Sequence, residues 1–266
     1  MRKCFSTPTV YLFFPVIIFS QSLIIHINDG STYNVPLSEI DSITYTISSP
    51  VNNTVTDIDG NIYNTIQIGN QEWMAENLRV THYRDGTAIT IITDNTAWSN
   101  LSTEAYCINN NNESNEVDTY GALYNWYAVS NSSNIAPEGW HVPTHDDWIE
   151  LEMYLGMSES DIVPNGSYRG TNEGSKLAGY NDLWMDGGLE TNSEFGSSGF
   201  AALPHGYRYH ENGGYYGIGY HNYFWSSTEF PSGESAFRRG MSYDNSGIYA
   251  DAYYKRFGCA VRLVRD

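Results

Sequence analysis

Positive charge is scarce in this sequence, and so are long apolar runs. The chain of 266 residues carries 13 Lys and Arg against 31 Asp and Glu, which gives a formal net charge of −18. Such a chain repels a phosphate backbone, so nucleic-acid binding is not expected, and an anionic membrane surface is disfavoured for the same reason. Beyond residue 20 no stretch is apolar for long enough to cross a bilayer, so we predict no transmembrane segment there.

Sequence signatures of catalysis are also lacking. The G-x-S-x-G elbow of a serine hydrolase does not occur, and the related "GSSG" at residues 196–199 has the wrong spacing. His141 and His145 are four residues apart, but Pro143 stands between them and prevents the helical register that would suit a metal. A pair of carboxylates that cleaves glycosidic bonds needs only spatial proximity, so the sequence leaves that alternative open.

Aromatic residues are abundant. They make up 15% of the chain, with 22 Tyr and 7 Trp, and the hydrophobic fraction is 41%. That content is sufficient for a folded core. Because Tyr and Trp have one polar end, we expect many of them at half-buried surfaces.

Residues 1–20 have the pattern of a secretory signal peptide. Arg2 and Lys3 form a positive start, residues 10–19 are an apolar run too short to span a bilayer, and Ser20 is a small residue suited to cleavage. We predict cleavage near residue 20 and an exported protein, secreted or at the cell surface. The alternative is an uncleaved anchor.

Two cysteines remain after such a cleavage, Cys107 and Cys259. In an oxidising compartment they could form one disulfide that closes a long loop. The alternative is two separate buried thiols that behave as small hydrophobic residues. Sequence spacing does not give the geometry that would decide between the two.

The mature chain is predicted to have three parts. Residues 21–47 form a small β module with a hairpin turn at Asp29–Gly30, similar to a hairpin module that follows the signal peptide in many exported Bacteroidetes proteins. Residues 48–56 are polar, contain a proline and are predicted to be a linker. Residues 57–266 are predicted to be one domain.

The clearest helix signal in this domain lies in "EGWHVPTHDDWIELEMYLG". Thr144 is predicted as the N-cap, Asp147 as the acid at the third helical position and Gly156 as the residue that ends the helix. A buried stripe is predicted at spacing i, i+3 and i+7: Trp148, Leu151 and Leu155.

Two further elements are predicted from local patterns. "DTYGALYNWYAVS" at residues 118–130 is predicted to be a second short helix. The last strand, at residues 257–264, shows an alternation that predicts one buried face and one outward face. The buried positions would be Cys259, Val261 and Leu263, and the outward ones Arg262 and Arg265.

Six ordered blocks carry a family resemblance: "DIDGNIYNTIQIGNQEWMAENLRV", "YGALYNWYAV", "APEGWHVPTHDDWIEL", "GFAALPHGYR", "FWSSTE" and "CAVRLVRD". They occur in the order seen in the Fibrobacter succinogenes major paralogous domain, and they cover residues 57–266. The part of the sequence from "GWHVPTHDDW" to "AVRLVRD" is also similar, more weakly, to the formylglycine-generating enzymes. This second likeness implies an α+β, C-type-lectin-like fold of small antiparallel sheets, about two short helices and long loops. Those enzymes use a late pair of reactive cysteines, whereas this chain has Cys259 alone there, which argues against their chemistry.

Calcium is the cofactor that the sequence best accommodates. In "DIDGN" the oxygen-bearing residues Asp57, Asp59 and Asn61 alternate, as in the first half of an EF-hand loop, but the downstream glutamate is missing. The alternative is an Asp–Gly hairpin turn without a metal.

Carbohydrate is the ligand class that the composition favours. Sugars stack on aromatic faces and form hydrogen bonds with amides and carboxylates, and the segment from His205 to Glu229 is rich in both. Its glycines predict a loop rather than regular strands. The candidate ligand-binding residues are Tyr215, Tyr216, Tyr220, His221, Asn222 and Trp225. The alternative is that these rings fill a core.

These patterns favour an exported, non-catalytic binding or adhesion module whose ligand is a glycan or a surface protein. One alternative is an exported enzyme that acts on glycans or proteins. Another is a structural component of the cell surface.

Overall fold

The computed structural model describes most of the chain from residue 54 onward. Described are residues 54–109, 117–164 and 166–266, together with the backbone of two earlier strands. The predicted signal peptide and the predicted turn at Asp29–Gly30 lie outside the described residues.

The chain divides into two compact units, Met1–Val51 and Asn52–Asp266. In the first unit, β1 (Ser22–His26) and β2 (Thr32–Pro36) form an antiparallel pair. In the second unit, β3 (Thr54–Thr56) already pairs with its neighbour, although these residues were predicted to belong to a linker.

Three sheets build the described part of the second unit. The five-stranded sheet contains, in spatial order, β3, β4 (Ile62–Ile68), β5 (Gln71–Met74), β15 (Val264–Arg265) and β8 (Trp140–His141). The six-stranded sheet contains, in spatial order, β11 (Tyr215–Ile218), β10 (His205–Arg208), β12 (His221–Glu229), β13 (Ser235–Ser242), β14 (Asn245–Tyr254) and β9 (Ser167–Arg169). The two-stranded sheet contains β6 (Tyr106–Ile108) and β7 (Ala122–Tyr124).

The described residues contain five short α-helices, more than the two or so that the resemblance implies. They are α1 (Asn95–Ser99), α2 (Val117–Tyr120), α3 (Trp126–Val129), α4 (His145–Tyr154) and α5 (Glu173–Leu177). The fold is therefore α+β and mainly β, and among the described residues all its strand pairs are antiparallel except the parallel pair of β10 and β12. None of the helices in the described part of the chain has the length and apolarity needed to cross a membrane.

Helix α4 forms where the sequence predicts it. The Thr144 hydroxyl accepts a hydrogen bond from the Asp147 amide at 3.2 Å, and the Asp147 carboxylate accepts one from the Thr144 amide at 2.7 Å. This reciprocal capping box satisfies two amides that the first turn leaves free. Trp148, Leu151 and Leu155 are buried, so the predicted stripe is confirmed.

The helix predicted at residues 118–130 is wrong. Helix α2 stops at Tyr120, and Gly121 takes a positive φ of 74°. Strand β7 then pairs with β6, and the Asn125 side chain accepts a hydrogen bond from the Ala128 amide at 3.1 Å to begin α3. Strand pairing thus outweighs a weak local helix preference, which is a common result for segments this short.

The C-terminal segment inserts between earlier strands, as Val264 pairs with Trp73 of β5 and with His141 of β8. The predicted outward position of Arg262 is wrong, because this side chain is fully buried. Its guanidinium donates to the Asn77 side-chain oxygen at 2.7 Å and to the Ala201 carbonyl at 2.9 Å. Buried acceptors thus replace water around this cation.

The cysteines do not form the disulfide; both are free and buried. Cys107 lies opposite Leu123, and Cys259 lies opposite Tyr124. Successive residues of a strand point to opposite faces, so the two thiols enter different hydrophobic clusters. The alternative of two separate buried thiols therefore describes this structure.

Candidate functional site

Five tyrosines and one glycine line up across the six-stranded sheet. The registers place Tyr207 opposite Tyr216 and, through the neighbouring pair Gly206 and Asn222, beside Tyr223. Residues directly opposite one another share a face of a sheet. From β11 to β9 the aligned residues are Tyr216, Tyr207, Tyr223, Gly240, Tyr249 and Tyr168. We call these six residues the tyrosine row.

Neighbouring rings of the tyrosine row contact one another along its whole length. The centroid distances are 6.0 Å for Tyr216 and Tyr207, 5.4 Å for Tyr207 and Tyr223, 6.2 Å for Tyr223 and Tyr249, and 5.5 Å for Tyr249 and Tyr168. The last three pairs meet at steep angles of 78°, 84° and 61°. Edge-to-face contacts at these distances are favourable for aromatic rings and restrict their rotation.

Gly240 allows the row to close in its middle. A β-carbon at this position would lie 2.7 Å from Cδ1 of Tyr223, which is closer than packing permits. The ring of Tyr223 therefore occupies the space that a side chain on β13 would fill, and in this way it reaches Tyr249 on the following strand.

The tyrosine row is partly open to solvent. Its ends are the most accessible, with Tyr216 45% exposed and Tyr168 36% exposed, and the three tyrosines between them are half-buried. On the core side, the buried ring of Phe257 stacks on Tyr207 at 5.0 Å with an angle of 21°. The row thus has accessible ends and a half-buried middle, in which Tyr207 and Tyr223 pack against the hydrophobic core.

An ion pair lies directly beside the row. Arg238 donates from Nε and Nη2 to the two carboxylate oxygens of Asp251, at 2.7 and 3.1 Å. Its guanidinium also lies 4.1 Å from the ring centroid of Tyr223 and 3.8 Å from that of Tyr253. Burial disfavours the charged guanidinium, but its contacts with Asp251 outweigh burial and raise the pKa of Arg238. This cation orients the rings around it.

The hydroxyls of Tyr207, Tyr223, Tyr249 and Tyr168 stay protonated at neutral pH. Burial raises the pKa of each of the four. A protonated phenol both donates and accepts hydrogen bonds. The Tyr249 hydroxyl, for example, donates to Asp251 at 3.3 Å.

The predicted loop between His205 and Glu229 is wrong, because most of it forms β10, β11 and β12. Aromatic residues favour strands, and the glycines are confined to turns and tight approaches. Gly217, with a φ of 79°, lies within β11, and Gly219, with a φ of 82°, lies at the turn between β11 and β12.

Two of the six predicted ligand residues are buried, and their assignment to a binding surface is wrong. Trp225 donates to the Tyr124 carbonyl at 2.9 Å. The Asn222 side chain donates to the Leu203 carbonyl at 3.0 Å and accepts from the Met241 amide at 2.9 Å. Both residues hold strands together from the inside.

The other four predicted residues have four different surroundings. Tyr216 is the end of the tyrosine row, and His221 precedes Tyr223 by two residues on the same strand and is half-buried. Tyr215 packs against the core under the Arg208 guanidinium, which is 4.7 Å from its ring centroid. Tyr220 is exposed at the turn and packs edge-on against Tyr243 at 5.3 Å.

Four tyrosines of the row are not among the six predicted residues: Tyr207 and Tyr223 lie within the segment from His205 to Glu229, whereas Tyr168 and Tyr249 come from distant strands. A signal for Tyr249 exists, since Tyr249, Asp251 and Tyr253 alternate in "IYADAYY" and so share one face of a strand. Tyr168 has no comparable signal, since β9 is only three residues long.

The candidate calcium ligands are engaged by protein groups. The Asp57 carboxylate accepts four hydrogen bonds at 2.6–3.0 Å: from the amides of Asp59 and Asn61, the Asn61 side chain and the Tyr63 hydroxyl. That number fills the lone-pair sites of a carboxylate. The stretch forms the Asp–Gly turn of the alternative interpretation, with Gly60 at a φ of 85°.

The Asp59 carboxylate is engaged by two other residues: its Oδ2 accepts a hydrogen bond from the Thr81 hydroxyl at 2.9 Å, and its Oδ1 lies 2.6 Å from Nδ1 of His82. The three candidate residues therefore do not present free oxygens to one point. Within residues 54–109, 117–164 and 166–266, no cluster of three or more His, Cys, Asp or Glu side chains is close enough to hold a metal ion.

Comparison with known proteins identifies the family. Residues 66–265 match the family described as the Fibrobacter succinogenes major domain. The chain belongs to this family. The matched span includes the complete tyrosine row and most of the five-stranded sheet. No curated protein and no solved structure matches the chain.

Proposed function

We propose that this member of the Fibrobacter succinogenes major domain family is a non-catalytic glycan-binding protein, and that the tyrosine row is its binding surface. The observation that carries the proposal is the alignment of five tyrosines in one row, with open ends at Tyr216 and Tyr168. Sugar rings present C–H groups that pack on aromatic faces, and hydroxyls that bond to phenols. The row offers both kinds of partner side by side.

The rigidity of the row supports the same proposal. Each ring contacts its neighbours, and Phe257 and Arg238 hold Tyr207 and Tyr223 from the core side. Side chains that are already ordered lose little rotamer freedom when a ligand binds. Tyrosine has only two rotatable bonds, which lowers that cost further.

The scaffold proposed for this surface is lectin-like. Its support is the position of β15, which joins the end of the domain to β5 near its beginning and to β8. Export to the cell surface or the medium is part of the proposal, and its support is the charge and apolar pattern of residues 1–20.

Two other functions compete with this one. A glycosidase needs two carboxyl groups on either side of the scissile bond, one of which donates a proton. Beside the row, Asp251 has both oxygens engaged by Arg238, which opposes such a role. A purely structural surface component would need no open, rigid aromatic surface.

The proposal is tested by binding of the purified chain to a broad glycan array, with product analysis of every glycan that binds. We expect saturable binding without cleavage, and loss of binding in Tyr207→Ala and Tyr249→Ala. The matched control is Tyr180→Ala, because Tyr180 is 59% exposed and lies outside the row. Absence of binding to every glycan, or equal binding by all variants, would contradict the proposal, and release of products would favour the enzyme.

A further inference from the structure

The direction of the tyrosine row limits the shape of a ligand. The row crosses all six strands, and strands lie about 4.8 Å apart, so its ends are separated by roughly 24 Å. That length is several times the length of one sugar ring. A ligand that uses the whole row is therefore an extended chain that lies across the strands.

The orientation of the rings limits the shape of the ligand further. Tyr223 stands at 78° to Tyr207 and at 84° to Tyr249, so successive rings are not coplanar. A flat crystalline polymer surface would meet ring faces and ring edges alternately and could not lie flush on them. A single glycan chain can rotate about its linkages and present a C–H face to one ring and a hydroxyl to the next.

The charges beside the tyrosine row provide a third constraint on the ligand. The Arg238 guanidinium beside the row is neutralised by Asp251, with which it shares two hydrogen bonds. His221 has its pKa lowered by burial and is neutral at pH 7, and the exposed Asp244 lies at the same end of the sheet. With a net charge of −18 on the chain, acidic sugars would be repelled and neutral sugars would not.

We infer that the ligand is a single, soluble chain of neutral sugars that lies along the tyrosine row, rather than a crystalline polymer surface or an acidic glycan. This inference rests on the proposed function, which it deepens. It assigns Tyr216 and Tyr168 to the two ends of the bound chain and Tyr223 to its centre.

Affinity electrophoresis and a pull-down assay test the inference on the full chain. The probes are a soluble neutral glucan, galactomannan and xylan, the acidic polymers alginate and polygalacturonate, and particles of microcrystalline cellulose and chitin. We expect retardation by at least one soluble neutral polymer, with at least tenfold weaker binding to the acidic polymers and the particles. Equal or tighter binding to particles or acidic polymers overturns the inference but leaves the proposed function intact. Absence of binding to all the probes and to a glycan array overturns both.

Chain length gives a second, independent readout. Calorimetric titration with oligomers of the neutral polymer that binds is expected to show affinity rising with length until the row is filled, and then levelling off. Tyr168→Ala and Tyr216→Ala should each weaken the longest oligomer roughly 2- to 12-fold, the range expected from one aromatic contact, and leave the shortest unaffected. Affinity that does not depend on length would overturn the placement along the row.

Discussion

The ring of Tyr223 lies over Gly240 of the adjacent strand, and a β-carbon at Gly240 would be only 2.7 Å from it. This contact lets tyrosines from β10, β12 and β14 meet in one row although the intervening strand contributes no ring. This arrangement of the rings therefore requires a glycine at position 240. Adding a side chain there should change stability and binding measurably.

Gly240→Ala is expected to push the ring of Tyr223 out of place. The Asn222 carbonyl, 2.8 Å from the added carbon, blocks a simple backbone shift. We expect a loss of roughly 1–3 kcal/mol in the free energy of unfolding, as for overpacked cores, and weaker glycan binding. The double variant with Tyr223→Ala should be less destabilised than the sum of the single variants, because the clash partner is gone. Additive losses in denaturant unfolding would contradict this account of the contact.

Asp251→Ala leaves the Arg238 guanidinium buried without its counter-ion. Breaking a buried ion pair by removal of one partner should lower the free energy of unfolding by about 3 kcal/mol. The matched control is Arg265→Ala, whose ion pair with Glu72 has the arginine side chain 61% exposed. Removal of that exposed pair should change stability by less than about 1 kcal/mol. Chemical denaturation of both variants gives the comparison, and equal losses would contradict the role of burial.

A pH-dependent stabilisation is expected at the start of α4. His141 interacts through its two ring nitrogens with Asp147 at 3.1 Å and Asp266 at 2.7 Å. The hydrogen bond to Asp147 is the main cause that raises the pKa of His141 above 6.5, burial opposes it, and Asp266 adds to it. Because the folded pKa is raised, the stabilisation is fully present below about pH 6.5 and is lost as the pH rises through the folded value.

The measurement is the difference in melting temperature between the wild type and His141→Asn over pH 5 to 9. It should be largest at acidic pH and shrink on the alkaline side of pH 6.5. A difference that is independent of pH would show that the imidazole acts by shape alone.

Both buried cysteines should be present as free thiols. Burial raises the pKa of Cys107 and of Cys259, so each is protonated and slow to react in the folded protein. Alkylation under native conditions should therefore be slow, and alkylation after unfolding without reductant should label both. A mass increase on reduction, or a melting temperature lowered by reductant, would reveal a disulfide instead.

Features of the fold that depend on residues close in sequence were predictable from the sequence. Features that depend on residues far apart in sequence were not. Helix α4 followed from the spacing of Thr144 and Asp147, two residues that act within one turn. The burial of Arg262 depends on Asn77 and on the backbone near Phe200, which are remote in sequence. A pattern of alternating residues predicts which positions share a face, but not whether another layer covers the opposite face.

The candidate site, too, was predictable from the sequence only in its local features. The segment from His205 to Glu229 was recognised as rich in ligand-binding residue types, and Tyr216 within it lies at the surface. The row itself depends on the register between β13 and β14 and on the pairing of β14 with β9. Such registers are set by long-range packing and by the bulge between Gly240 and Ser242, which have no unambiguous signal in the sequence.

Tyrosine footprinting by limited iodination tests the central claim most directly. Tyr216 and Tyr168, at opposite ends of the row, and the off-row control Tyr180 are all accessible to the reagent. With a bound neutral oligosaccharide long enough to span the sheet, mass spectrometry should show that Tyr216 and Tyr168 become protected together while Tyr180 reacts as before. Protection of Tyr180 alone, or unchanged reactivity at both ends of the row under saturating ligand, would contradict the account.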